Sequence, residues 1–312
     1  MLILFQNIII IILYQMKQKY KNVSKLGVDI MIAIEAKGLT YSYDGKSNAV
    51  DQLTFQVKKG EVFGFLGPSG AGKSTTIRLL TKLIAPPPGK VFILGQDMSK
   101  ANHSFYKKIG IAFENDVLYP TLTGYENLIF HAKLYGTGET EVNDILKKMD
   151  LYKSKDKKAG EYSKGMKTRL VLARALVTNP EVLFMDEPTS GMDPEIAAYV
   201  REVIRKMNQK GTTMFLTTHD MNEAEKLCDR IAFFNNGKIV ELDTPESYKK
   251  RFGEKTVTIE QKGKKHTFTQ DGDLSNLLEM IGKKEFESIH TQEASLEEIF
   301  IKVVGRGLKG EA

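Results

Sequence analysis

A glycine-rich stretch from Gly67 to Thr75 has the residue types and spacing to hold a chain of phosphate groups. It matches the pattern G-x-x-x-x-G-K-[ST], in which the glycines let successive backbone N–H groups point inward at phosphate oxygens. The residues of the stretch are Gly67, Pro68, Ser69, Gly70, Ala71, Gly72, Lys73, Ser74 and Thr75. In such a loop Lys73 can reach the outer phosphates, and the Ser74 hydroxyl can bind Mg²⁺, which prefers oxygen ligands.

The segments on either side of this phosphate loop have the patterns of a strand and of a helix. Residues 61–66 predict a short buried strand, and residues 75–80 predict the first turns of a helix. Because the N-terminus of a helix favours a bound anion, this setting suits a phosphate. The alternative is a glycine-rich turn that joins a strand to a helix and binds nothing.

Two adjacent carboxylates, Asp186 and Glu187, follow a wholly apolar segment at residues 182–185. Such a segment is typical of a central parallel strand, and carboxylates at its end are costly unless something there needs them. In a phosphate site the first can hold Mg²⁺ and the second can polarise a water that attacks the terminal phosphoryl group. The alternative is that one of the acids only caps the next element.

A histidine and two tyrosines are further candidates for a site. His219 follows the apolar segment at residues 213–217, on the edge where α/β sheets place their ligands, although a lone histidine is more often structural. Tyr41 and Tyr43 alternate with polar residues. One of them could stack on an adenine ring, or both could pack as ordinary strand residues.

The composition is that of a globular chain with a hydrophobic core. Of its 312 residues 41% are hydrophobic, and the formal net charge is +6. Because no basic cluster is interleaved with aromatic residues, a lysine-rich solvated surface is favoured over a nucleic-acid surface. Cys228 is the only cysteine, which excludes an intrachain disulfide and fits a reducing compartment.

The first 30 residues form a leader of doubtful status. Their apolar run, residues 1–14, is shorter than the roughly 20 residues that a spanning helix needs, and it lacks the basic and small-residue features of a signal peptide. An over-long start, a membrane-surface hook and a disordered leader remain open, and the first is favoured. Folding is expected to begin at Met31, with an edge strand over residues 31–36. After residue 31 no segment is long and apolar enough to cross a bilayer.

The rest of the chain divides into a large and a small part. We expect one domain over residues 31–245, mostly helical from about 97 to 180, and a small α+β appendage over residues 246–312. Asp44-Gly45 predicts a hairpin turn in the first part. In the appendage, alternating residues around Gly263 predict a second hairpin, and the capping box of Ser295 and Glu298 predicts a helix start.

The segment YSKGMKTRL at residues 162–170, with ARAL at 173–176, resembles the signature motif of the ATP-binding subunits of ABC transporters. In that family a motif of the form LSGGQ opens a helix just ahead of the strand that carries the Asp-Glu pair. The phosphate loop and the Asp-Glu pair also occur in other ATPases, whereas the signature separates this family from them. The resemblance covers about residues 31–240. The form SKGMK and the tail SLEEIF are most similar to the drug and antibiotic exporter branch.

The resemblance implies a fold and two cofactors. The implied fold is α/β, with a P-loop NTPase (RecA-like) core, an antiparallel β subdomain and a helical signature subdomain. The implied cofactors are ATP and Mg²⁺. Residues 67–75 correspond to the family's Walker A loop, and Tyr43, rather than Tyr41, sits where an aromatic residue stacks on adenine. Asp186 corresponds to the Walker B residue that holds Mg²⁺.

The resemblance also implies roles at the reacting phosphate. Glu187 corresponds to the catalytic glutamate, and His219 resembles the switch histidine that contacts the terminal phosphate. The four residues SGMD that end at Asp193 resemble the D-loop of the nucleotide site. In the family, the residues that match Ser163 and Gly165 reach the ATP held by the partner subunit.

Three positions depart from the family pattern. Glu114 replaces the glutamine of the Q-loop, where a carboxylate can still bind nucleotide-bound Mg²⁺ but cannot donate as an amide does. Lys164 replaces the first glycine of the signature and adds charge near a triphosphate. Met166 replaces its glutamine and loses a polar contact.

The implied function is an ATPase that powers export. One chain carries one phosphate loop and one signature. If each ATP needs both, as the resemblance implies, a second ATP-binding subunit, identical or paralogous, must meet the chain head to tail around two ATP molecules. A separate transmembrane permease is expected, which places the chain at the cytoplasmic face of the membrane, and no nucleic acid is expected. The alternatives are a soluble ABC ATPase that acts on ribosomes or nucleic acid, and an ATP-binding regulatory module with little turnover. Glu187 and His219 argue against the regulatory module, whereas Glu114 and Met166 leave it open.

Overall fold

The strands and helices are those of the residues that the computed structural model describes, which are 31–113, 117–253, 255–261, 263–269, 274–283 and 286–305. The predicted leader and Glu114 therefore lie outside the described residues. The strands are β1 (Ile32–Ser42), β2 (Asn48–Lys58), β3 (Val62–Leu66), β4 (Val91–Ile93), β5 (Gln96–Asp97), β6 (Ile109–Ala112), β7 (Val182–Asp186), β8 (Thr213–Thr218), β9 (Arg230–Asn235), β10 (Lys238–Asp243), β11 (Lys255–Gln261), β12 (Lys264–Thr269) and β13 (Ser288–Glu293). The α-helices are α1 (Lys73–Leu80), α2 (Gly124–Leu134), α3 (Glu139–Lys148), α4 (Lys164–Leu176), α5 (Pro194–Gln209), α6 (Met221–Leu227), α7 (Pro245–Phe252), α8 (Ser275–Lys283) and α9 (Leu296–Val304).

A six-stranded sheet of order β10-β9-β3-β8-β7-β6 forms the centre of the fold. β3 lies between β9 and β8 and is parallel to both, and β7 is parallel to β8 and β6. Only β10, at one edge, runs antiparallel to its neighbour. The strands β3 and β8 are buried throughout, as expected for central strands of a parallel sheet that is covered on both faces. The predicted α/β class is confirmed.

A second, antiparallel sheet of order β2-β1-β4-β5 packs against the first. A tight aromatic cluster joins the two sheets, because Phe55 of β2 lies within ring contact of Phe63, Phe65 and Phe215. The hairpin predicted at Asp44-Gly45 is confirmed, since β1 and β2 pair on either side of it. The prediction of an edge strand at residues 31–36 is wrong, because β1 pairs with β2 on one side and with β4 on the other.

The region predicted as mostly helical contains α2, α3 and α4, which pack on one another. Arg169 of α4 links that helix to the C-terminal end of α3, because its guanidinium donates to the backbone oxygen of Met149, 2.9 Å away. The region also contains β6, which was not predicted and which belongs to the central sheet. The strand β6 can lie close to α4 because residue 110 is a glycine. A Cβ at Gly110 would come 2.3 Å from the backbone oxygen of Ala175.

The C-terminal residues add a three-stranded sheet, β12-β11-β13, and three helices. The predicted hairpin around Gly263 and the capping box of Ser295 and Glu298 are confirmed. Two of the helices pack on the central core. The ring of Tyr248 in α7 stacks on Phe233 at 4.3 Å, and that of Phe300 in α9 meets Phe233 edge-on at 5.2 Å. Among the described residues, none of the helices has both the length and the apolar character to span a membrane.

Replacing Phe300 by Ala tests whether the last helix stabilises the central sheet. Because Phe300 is 1% exposed and packs on β9, the change should lower the free energy of unfolding by about 3–5 kcal/mol. Ile301 is the matched control, since it is 43% exposed on the same helix and its replacement by Ala should cost about 0.5 kcal/mol. Urea unfolding measures both. Equal losses in the two variants would contradict the packing of α9 on the core.

Candidate functional site

The phosphate loop lies at the carboxyl end of β3 and packs closely against two other strands, β9 and β2. A Cβ at Gly67 would come 2.0 Å from the backbone oxygen of Phe234 in β9, and one at Gly72 would come 2.1 Å from that of Ala49 in β2. Gly72 also has a φ of 105°, which residues with a side chain rarely adopt. These two positions of the sequence pattern therefore have a structural reason to be glycine.

The helix that follows the loop begins at Lys73, with Gly72 at its N-cap. The first N–H groups of an α-helix have no partner within the helix, so this end presents donors to an anion. The Lys73 side chain is 8% exposed, and its Nζ donates to the backbone oxygens of Gly67 at 2.7 Å and Pro68 at 3.0 Å. Burial lowers the pKa of Lys73, and the charges of Glu187 and Asp186 act in the opposite direction. The loop and the two carboxylates therefore form one electrostatic unit.

Glu187 has an unusual backbone conformation. Its φ is 53°, in the left-handed region that costs free energy for a residue with a side chain. The surrounding sheet holds it there, because the Glu187 N–H donates to the backbone oxygen of Thr217 at 2.9 Å. The preceding residue, Asp186, accepts a hydrogen bond from the Thr217 hydroxyl. The end of β8 thus sets the direction of both carboxylates.

The Glu187 carboxylate points at His219. Oxygen Oε1 lies 2.8 Å from His219 Nδ1, and Oε2 lies 3.1 Å from the Thr218 hydroxyl. The Glu187 side chain is 12% exposed and that of His219 is 60% exposed, so the carboxylate is mostly buried and the imidazole faces solvent. A carboxylate held in this way can accept a proton from a water on its open side.

Tyr43 stands at the mouth of a groove beside the phosphate loop. Its hydroxyl lies 3.2 Å from the Thr75 hydroxyl, and its ring is 60% exposed. The rings of Tyr41 and Tyr43 are nearly perpendicular with their centroids 5.0 Å apart, and Tyr41 is partly buried, so Tyr43 is the more exposed of the two. The groove has a volume of about 380 Å³, and its lining residues are Tyr43, Asp44, Ser47, Asn48, Ala49, Gly70, Ala71, Asn236 and Gly237.

The signature residues lie against the D-loop of the same chain. Ser163 is exposed and caps α4, accepting from the N–H of Met166 at 3.2 Å. A Cβ at Gly191 would come 2.1 Å from the Lys164 amino group, and a Cβ at Gly165 would come 3.4 Å from Ile196 of α5. The Lys164 side chain therefore covers the D-loop glycine, a contact that the sequence did not predict.

Ser74, Asp186 and Asp193 complete the predicted site. Ser74 is in the first turn of α1, which packs against β7, where Asp186 is the last residue. Asp193 is exposed at the N-cap of α5. Among the described residues, no group of three or more His, Cys, Asp or Glu side chains could enclose a metal ion. A hydroxyl and a carboxylate are oxygen donors that suit Mg²⁺, which usually takes few protein ligands and completes its shell with phosphate oxygens and water.

Four residues of the site were not predicted: Thr189, Thr217, Thr218 and Glu223. Thr217 and Thr218 end β8 directly before His219, so the rule that singled out the histidine could have included them. No sequence pattern indicated Glu223 as a site residue, because it lies in a charged stretch, MNEAEK, that is typical of a solvated helix. In the structure it is 2% exposed.

Comparisons with known proteins agree with this geometry. The family model described as "ABC transporter" matches residues 50–190. A fluoroquinolones export ATP-binding protein of Mycobacterium tuberculosis is 39% identical, with 91% of this chain and 96% of that protein covered. The linearmycin resistance ATP-binding protein LnrL of Bacillus subtilis is 37% identical over 72% of this chain and 73% of that protein. A dimeric, post-hydrolysis ATP-binding cassette bound to ADP and phosphate superposes with a TM-score of 0.63 at 26% identity, covering 68% of this chain and 98% of that one.

Alanine at two loop glycines tests the close approach of the loop to β2. Gly70→Ala introduces a side chain at a φ of 80° into open space and should lower the free energy of unfolding by about 1–2 kcal/mol. Gly72→Ala adds the collision with the Ala49 oxygen and should cost about 3 kcal/mol or more. Chemical unfolding without nucleotide measures both losses. If Gly72→Ala were no worse than Gly70→Ala, the loop would not be confined in this way.

Proposed function

Because the chain belongs to the ATP-binding subunits of ABC transporters, we propose that its ATPase activity drives export through a separate membrane permease. The observation that carries the proposal is the Glu187–His219 pair, held at the sheet edge where the phosphate loop begins. The named relatives support export as the direction of transport. They do not favour the alternative of a soluble ATPase that acts on ribosomes or nucleic acid. We propose residues 31–245 as the ATP-binding domain and 246–312 as its appendage.

The phosphate loop is proposed to bind the triphosphate of ATP. The N–H groups of the loop and of the first turn of α1 surround the phosphates, and Lys73 turns from the loop carbonyls to the outer phosphates. The ring of Tyr43 provides a face for the adenine. Ser74 and Asp186 are the proposed ligands of Mg²⁺, with the predicted Glu114 as a third. When bound, Mg²⁺ neutralises charge that develops on the transferred phosphoryl group.

Glu187 is the proposed general base of hydrolysis. Its carboxylate is oriented by Thr218 on one side and His219 on the other, so it can align a water and accept its proton. His219, whose side chain is largely exposed, is the residue proposed to contact the terminal phosphate. Catalysis of this kind depends on position, since phosphoryl transfer leaves little covalent chemistry for the protein to perform.

A second ATP-binding subunit is proposed to complete each site. Ser163 is exposed at the N-cap of α4 and Gly165 lies half-buried in its first turn, and the N-terminus of a helix is a donor surface for an anion. In a head-to-tail dimer this end would face the phosphates bound by the other chain, with Asp193 beside them. The dimeric state of the solved ATP-binding cassette supports this arrangement. Closure around ATP and release after hydrolysis would then transmit force to the permease.

An exposed apolar patch is the proposed docking surface for the permease. It consists of residues on α2 and on the segment before it: Val117, Tyr119, Phe130 and Leu134. They are 78%, 49%, 49% and 54% exposed, and Tyr119 and Phe130 meet edge-on at 5.5 Å. Several exposed apolar side chains in one region of the surface are typical of an interaction site. Docking there would place the chain at the cytoplasmic face of the membrane.

Glu187→Gln tests the general base. The amide keeps the shape of the side chain but cannot accept the proton, so kcat for ATP hydrolysis should fall by about 10²–10⁴-fold. ATP binding should persist, and gel filtration with ATP should show a stable dimer. The control is Glu181→Gln, because Glu181 lies before the other end of β7 and pairs with Lys59 and Lys108. Normal turnover by Glu187→Gln would remove Glu187 from this role.

Phe130→Ser tests the docking patch. The change removes an exposed ring from the patch, so recovery of a polytopic membrane protein with the tagged chain should drop about tenfold. ATP binding should be retained. Leu278→Ser is the control, because Leu278 is 66% exposed on α8, outside the patch. An undiminished yield of the membrane partner with Phe130→Ser would place docking elsewhere.

A further inference from the structure

A buried carboxyl group, that of Glu223, lies directly behind the proposed catalytic residue. Glu223 is in the first turn of α6 and is 2% exposed. Its Oε1 accepts a hydrogen bond from the Thr189 hydroxyl, and its Oε2 lies 3.1 Å from the Thr218 hydroxyl. None of the roles assigned above accounts for a carboxyl group in this position, and burying one is costly unless its hydrogen bonds are satisfied.

The Thr218 hydroxyl lies between two carboxyl groups. Its oxygen is 3.1 Å from Glu187 Oε2 and 3.1 Å from Glu223 Oε2, and it also accepts from the N–H of Asp220 at 3.0 Å. A hydroxyl has one proton to donate. If both glutamates were ionised, one of the two contacts would bring together oxygens with no proton between them. A proton on one of the two carboxyl groups would give each of these contacts its own hydrogen.

The surroundings place that proton on Glu223. Burial raises the pKa of the Glu223 carboxyl, the hydrogen bonds from Thr189 and Thr218 oppose this, and the charges of Asp220 and Glu187 raise it further. A protonated Glu223 donates to the Thr218 oxygen, which has a second lone pair for the Asp220 N–H. The Thr218 proton is then directed at Oε2 of Glu187, whose other oxygen, Oε1, lies beside His219.

We propose that Glu223 is a positioning residue: as a neutral acid it turns the Thr218 hydroxyl onto Glu187 and at the same time accepts from Thr189. This inference rests on the role proposed for Glu187. It joins that residue by one chain of hydrogen bonds to Thr189, which immediately precedes the D-loop. A shift of the D-loop would therefore reach Glu187 through Glu223 and Thr218.

The test compares Gln and Met at position 223. Glutamine is neutral, its NH₂ can donate to Thr218 and its oxygen can accept from Thr189, so Glu223→Gln should keep kcat within about twofold. Methionine has a similar length but makes neither bond, so Glu223→Met should lower kcat by about 10- to 100-fold. The KM for ATP should stay unchanged in both, because the phosphate loop is not touched.

A further pair of variants and one control separate positioning from folding. Thr218→Ser keeps the hydroxyl and should be active, whereas Thr218→Val removes it and should match Glu223→Met. Glu61→Met is the control for loss of a buried carboxyl, because Glu61 is 7% exposed just before β3 and pairs there with Arg230. It should lower stability in thermal unfolding without changing kcat. If Glu223→Met does not fold, the two Thr218 variants and Glu223→Gln still test whether Glu223 acts by positioning the Thr218 hydroxyl.

Three outcomes would overturn the inference. Glu223→Gln could be as slow as Glu223→Met, which would mean that the negative charge is needed. Glu223→Met could turn over at the wild-type rate, or Thr218→Val could equal Thr218→Ser. All variants are measured beside the wild type and Glu187→Gln. A wild type that hydrolyses ATP and a Glu187→Gln variant that does not would leave the proposed function standing even if Glu223 failed its test.

Discussion

The parallel pairing of β3, β8 and β7 is the constraint on which the site depends. Its register sets Leu66 opposite Thr218 and Asp186 opposite Thr217, so the three strands end at the same level of one sheet edge. The phosphate loop, the carboxylate pair and the histidine come from distant parts of the chain and meet only because of this register. A shift by one residue would turn the side chains of a strand to the other face of the sheet.

The scaffold around this edge tolerates groups that are individually unfavourable. Glu187 has a left-handed backbone, and Lys73 and Glu223 are buried ionisable side chains. Each is held by hydrogen bonds with neighbouring backbone or side-chain groups. Strained and buried polar groups of this kind concentrate at functional sites, where the surrounding fold fixes them. The same rigidity allows a hydrogen-bond chain from Thr189 to Glu187 to keep its geometry.

The parts of the site that follow local patterns could be predicted from the sequence. The phosphate loop has fixed spacing, and Glu187 and His219 each follow an apolar strand, so the rule for parallel sheets brings them to one edge. Features that depend on partners distant in the chain could not. β1 has the alternation of an edge strand but acquires β4 as a second neighbour, and Glu223 has the setting of a surface residue until Thr189 and Thr218 close over it.

The most direct test of the central claim is a crystal structure of the chain with Mg²⁺ and a hydrolysis-resistant ATP analogue. The account predicts the terminal phosphate within about 3 Å of both Lys73 Nζ and His219, with Glu187 facing a water beside it. Ser163 of a second chain should approach the same phosphate from the other side. A nucleotide bound elsewhere, or a Glu187 carboxylate turned away from the terminal phosphate, would contradict the account.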